Sequence, residues 1–185
     1  MLNPEDPGDL DRFDTLMEWE HSNLREMSRF IRHHSERMAD VPIILRPHPS
    51  ENHRTWEKSV SGLSNVHLVR DRDHIAWILA SRAMVHTGCT TGLESSLLGT
   101  PTIGICPDQH PWHAGFISNV ASQIRETGDA AATLAAEILI NPRHPKEGVN
   151  EEIFEQLRSS LDIQRETRSS QRIATVLASM PPPIS

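Results

Sequence analysis

The chain has 185 residues and a formal net charge of −7, with a pI of about 5.8: room for one α/β domain with a real core, not for two large ones. The acidic balance argues against bulk electrostatic binding of nucleic acid or acidic membranes. No apolar run approaches the roughly 20 residues of a membrane span, no basic-then-apolar leader opens the chain, and Cys89 and Cys106 lack metal-ligand spacing, so a cytoplasmic setting is expected.

In chain order, Met1 to Gly8 carries Pro, Asp and Gly and reads as a flexible lead-in. Leu16, Trp19, Leu24, Met27 and Ile31 recur near helical spacing and predict one long helix over Asp9–Met38. Val41–Leu45 is an apolar, β-branched run expected to form a buried strand. Two prolines then keep Arg46–Asn52 out of strand and helix alike. A short helix around Trp56 and Val60, a strand over Val66–Val69, and a helix over His74–Ser81 capped by Asp73 follow.

Met84 and Val85 predict the next strand, which hands over to a helix across Thr87–Thr91. Leu93, Leu97 and Leu98 should give that helix its buried stripe, Gly99 and Pro101 should end it, and Thr102–Ile105 should form a strand. Cys106–His113 is a second proline-rich loop, and Val120–Ile124 a fifth candidate strand. A helix from Thr127-Gly128-Asp129 to Ile140 and two terminal helices, Glu151–Ser160 and Gln164–Met180, complete the pattern. Strands alternating with helices predict an α/β fold: a doubly wound, mostly parallel sheet flanked by helices. The expected division is a lead-in and first helix over 1–40, a nucleotide-binding core over 41–145, and C-terminal helices with a Pro tail over 146–185.

Right-handed crossovers bring the loops after the strands to one sheet edge, where ligands of parallel sheets bind. His48, held between Pro47 and Pro49, has little backbone freedom. Its ring and the Arg46 guanidinium both suit a phosphate oxygen. Thr87, Gly88, Thr90, Thr91 and Gly92 offer hydroxyls, close backbone approach and a helix N-terminus to an anion. This run is neither a Walker loop nor a Gly-x-Gly-x-x-Gly fingerprint. Glu94, read as lying in the first helical turn, suits ribose hydroxyls as well as the helix dipole. Of Ser95 and Ser96, one is expected to face the site and the other to pack. Cys89 reads more simply as a small packed thiol than as a nucleophile. Asp108, His110 and His113 are expected to line a sugar or acceptor pocket. Pro111 breaks up the His-x-x-His pair and no third ligand is evident, so no metal is expected.

The combination of Arg46-Pro47-His48-Pro49-Ser50-Glu51, Trp56, Ile75–Ser81 and His86–Glu94 resembles the C-terminal half of bacterial surface-carbohydrate biosynthesis proteins. Those proteins are similar to GT-B glycosyltransferases, with two Rossmann-like domains and the sugar nucleotide held mainly by the second. The resemblance spans roughly Val41 to Pro107. It implies a CMP-, CDP- or UDP-linked sugar as donor substrate, with no further cofactor. His48-Pro49 and Thr90-Thr91 would lie at its phosphates and Glu94 at its ribose. It also implies work in capsule or lipopolysaccharide assembly, with peripheral association to an assembly complex. No N-terminal Rossmann-like half is recognisable, so a missing domain or a homodimer is expected to complete the cleft. The catalytic residue is unassigned. The competing readings are a sugar-nucleotide epimerase or hydrolase and a non-catalytic nucleotide-binding module.

Overall fold

The computed structural model describes residues 6–70 and 73–141, together with 155, 157 and 171; the two expected C-terminal helices lie almost wholly outside them. Helix α1 spans Pro7–Arg37. It begins inside the expected lead-in because Asp6 caps it, accepting from the Gly8 amide at 2.8 Å, with Pro7 preset for the first turn. Strand β1 (Ile43–Leu45), helix α2 (His53–Ser59), strand β2 (Val66–Leu68) and helix α3 (His74–Ala80) follow. Then come β3 (Met84–His86), α4 (Thr90–Leu97), β4 (Thr102–Ile105), two 3-10 turns over Pro107–Gln109 and Pro111–Gly115, α5 (Ile117–Val120), β5 (Gln123–Arg125) and α6 (Gly128–Ile140).

Every strand pairing is parallel, but the strands form two blocks: β1–β2, and β3–β4–β5 with β4 central. The structure is therefore mixed α/β, with short parallel sheets flanked by helices. β4 is buried at all four residues, as expected of a strand covered on both faces. The expected fifth strand is displaced: Val120 closes α5, and pairing begins only at Gln123.

One core joins the blocks: Leu45, Trp56, Ile103 and Ile105 pack with Phe30 and Ile31 of α1 and with Ala131, Leu134, Ala135 and Ile138 of α6. The alanines of α6 let α1 lie close. Closest approach is at Gly128, where a Cβ would stand 2.1 Å from the Glu26 carbonyl oxygen. Glu26, itself buried, accepts from the Gly128 amide at 3.0 Å and pairs with Arg29 at 3.2 Å. At its far end α1 meets the first block: Arg32 donates to the Ser59 carbonyl at 2.6 Å, and Ser35 to the Asn65 side chain. No helix among the described residues is long and apolar enough to cross a membrane.

Candidate functional site

Loops leaving the parallel strands carry the sequence-predicted residues to the carboxyl edges of the two blocks. After β1, Arg46 is half-buried and His48 exposed. Glu51 folds the loop back: its carboxylate accepts from the His48 amide at 2.5 Å and from Trp56 Nε1 at 3.1 Å. The Ser50 amide donates to His48 Nδ1 at 3.2 Å, and the Ser50 hydroxyl lies 2.6 Å from the same atom. A neutral ring so held carries its proton on Nε2, leaving Nε2–H a donor toward solvent.

After β3 the turn is built around a histidine that sequence reasoning assigned no role. His86 is 3 % exposed. Its Nδ1 accepts from the Gly88 amide at 3.0 Å, and its Nε2 lies 2.8 Å from Ser122 Oγ, which donates onward to the Ser118 carbonyl at 2.6 Å. That chain of bonds fits a neutral imidazole protonated on Nε2. Burial pushes its pKa down to about 4. Two expectations change as a result. The Gly88 amide is committed to His86 and is not directed at a ligand. Gly92 is required because a Cβ there would stand 2.4 Å from His86 Nε2, not because a ligand must come close.

Cys89, not a threonine, caps α4. It is exposed, against the expectation of a packed thiol, and its Sγ accepts from the Thr91 amide at 3.4 Å. Sulfur is a weak acceptor, so this cap compensates the helix N-terminus less than an oxygen would. Thr90 is exposed beside it, and its hydroxyl has no partner among the described residues. Gly88 has φ +109°, and the Phe116 ring lies against it.

Glu94 departs from its expected place. It falls in the second turn of α4, and its carboxylate pairs with His74 Nε2 at 2.8 Å, both side chains being more than a third exposed. Among the described residues no hydrogen bond or ion pair joins it to His48. The buried face of α4 is also not the leucine stripe: Gly92, Ser95 and Ser96 are buried while Leu98 is exposed. Both serines pack, Ser95 accepting from Thr102 Oγ1 at 3.0 Å and Ser96 donating to the Ala121 carbonyl at 2.5 Å.

The β4 loop meets α1 in an aromatic cluster. Trp19 stacks on Phe116 with ring planes 7° apart and meets Trp112 edge-on. Its Nε1 donates to His113 Nε2 at 3.2 Å. His113 is therefore buried behind the indole, not exposed in a pocket, and burial lowers its pKa. Asp108 and His110 do line a cleft of about 120 Å³, with Thr15, Glu18, Trp19, Ser22 and Pro107. Ser22 holds Asp108 at 3.2 Å, and Asp108 is the one non-glycine with positive φ (57°) among the described residues. Nearby, burial and the Glu51 carboxylate raise the pKa of Glu20, so α1 also lies within electrostatic reach of the β1 loop. The part played by α1 was missed because its polar residues read as a solvated face.

The cleft is smaller than the roughly 300 Å³ at which small-molecule pockets begin, and Arg46, His48, Thr90 and Glu94 do not line it. No group of three or more His, Cys, Asp or Glu among the described residues is placed to hold a metal ion. No protein-family model, curated protein or solved structure matches the chain.

Proposed function

We propose that the chain is the nucleotide-sugar-binding domain, Rossmann-like and of GT-B type, of a glycosyltransferase-like protein in bacterial surface-polysaccharide biosynthesis. The donor phosphates are taken by Thr90 and the backbone amides at the start of α4, with His48 Nε2–H and Arg46 approaching from the β1 loop. Oriented donors at a helix N-terminus stabilise phosphate charge, including the charge that grows on a departing nucleotide. Glu94 serves the ribose by exchanging His74 for sugar hydroxyls. Asp108 and His110 lie toward the transferred sugar, and no residue is assigned as catalytic base.

One observation supports this reading above the others. A weakly capped helix start with an unpartnered Thr90 hydroxyl and a proline-locked histidine with a solvent-facing donor both follow strands whose pairings are all parallel. Calorimetric titration with CMP, CDP, UDP and their sugars tests it. Selective binding of one nucleotide is expected. His48→Ala and Thr90→Val should each weaken it by about 10- to 100-fold, the worth of one hydrogen bond to a charged group. Glu94→Ala should weaken ribonucleotides and leave inorganic phosphate unaffected. Absence of binding to all of them, or binding untouched by all three substitutions, overturns the reading.

A further inference from the structure

The two strand blocks share a core and exchange no hydrogen bond. In β1, the Ile43 amide donates to Asn65 and the Leu45 carbonyl accepts from Val69. The N–H and C=O of Ile44 therefore point to the opposite edge. In β3, the Met84 amide donates to Pro101, so the N–H and C=O of Val85 point away from β4. Neither Ile44 nor Val85 has a backbone partner among the described residues. Burial favours these two strands: β1 and β3 each end on a buried residue, whereas β2 and β5 have none.

The helices show what belongs between them. α2 carries the chain from β1 to β2, and α1 is bonded to that crossover at Ser59, the end of α2, and at Asn65, ahead of β2. Its other flank lies along α6. Right-handed crossovers that step in one direction across a parallel sheet put their helices on one face. α1 thus occupies the place of a crossover helix that reaches β1 from the side away from β2. The six-strand doubly wound order 3-2-1-4-5-6 maps β2–β1 onto its first two positions and β3–β4–β5 onto its last three, leaving the third position unfilled among the described residues.

We infer that the slot between β1 and β3 receives one extended apolar strand, parallel to both, supplied by polypeptide preceding α1 in a longer form of this chain. Its backbone bonds Ile44 on one edge and Val85 on the other. Its side chains meet helices on both faces, so the run is apolar throughout and rich in β-branched residues. Supply in cis follows from α1, already laid down as the connecting helix. A second copy docking by a free edge would satisfy only one of the two edges. The inference stands apart from the nucleotide reading, and its test contains no nucleotide.

Amide hydrogen exchange on the 185-residue chain, at concentrations where it is monomeric, tests the vacancy. The amides of Ile44 and Val85 should exchange at least roughly 100-fold faster than those of Leu45 and His86, which the ladders protect. A fusion placing a seven-residue Val/Ile strand and a Gly/Ser linker ahead of Met1 should slow both amides and raise the melting temperature. A Ser/Asn/Gly fusion of equal length should do neither. Three results overturn the inference: both amides already slow in the unfused monomer, protection that rises with protein concentration, or a Val/Ile fusion that protects neither amide or only one.

Discussion

At the scale of single residues, the turn after β3 depends on the fit between His86 and Gly92. A methyl group at 92 would have to displace a ring fixed at both nitrogens. Gly92→Ala should therefore cost about 1–3 kcal/mol, the usual range for overpacking, read as a lowered urea midpoint with an unchanged slope. Thr90→Val, two residues away and exposed, should leave the midpoint within about 0.5 kcal/mol. This is also where the sequence is hardest to read. Hydroxyls, glycines and the His-Pro pairs announced a turn, but a glycine kept for a ligand and one kept for a buried ring look alike in one dimension. His86 lies next to the site, and its structural role could not be read there because its partner, Ser122, lies 36 residues away.

Elements were more legible. The long helix, both flanking helices of the β3 turn and α6 were visible in their periodicity and caps, with ends displaced by at most two residues. What periodicity could not supply was the partner of each face. Leucines 93, 97 and 98 promised a buried stripe on α4, yet tertiary packing turned its small residues inward. The seam between α1 and α6 is set by backbone approach at Gly128 and by the buried Glu26 carboxylate. Gly128→Ala should force the helices apart and cost about 3 kcal/mol, the upper end of overpacking. Glu26→Ala should cost about 1–3 kcal/mol by orphaning the Gly128 amide. Chemical denaturation checks both, and Glu26→Gln should recover part of the loss because its amide oxygen still accepts.

For the molecule as a whole, alternating strands and helices disclosed the α/β class and the parallel pairing. The division into two blocks was hidden, since no local signal marks a strand that fails to pair. Global stability should carry a signature of the interior histidines. His86 has a folded pKa of about 4, against an ordinary value of 6.5, and burial lowers His34 and His113 in the same direction. The unfolded chain therefore binds protons more readily than the folded one. The stability these rings contribute is complete above pH 6.5 and is lost as pH falls toward 4, by up to about 3 kcal/mol for His86. Urea midpoints at pH 7.5 and 4.5 should show this fall, and His86→Gln should be less stable at pH 7.5 and show a shallower slope.

Glu26 and Gly128 join across 102 positions of sequence, which has a consequence for how the protein is made. During synthesis the apolar face of the first helix leaves the ribosome long before the segment that will cover it. At translation rates of about 5–20 residues per second, the wait is roughly 5–20 seconds. Loop closure over that span must come late, so the nascent chain passes through a stage at which Phe30 and Ile31 have at most the cover of Leu45 and Trp56 and chaperones have their best opportunity to bind.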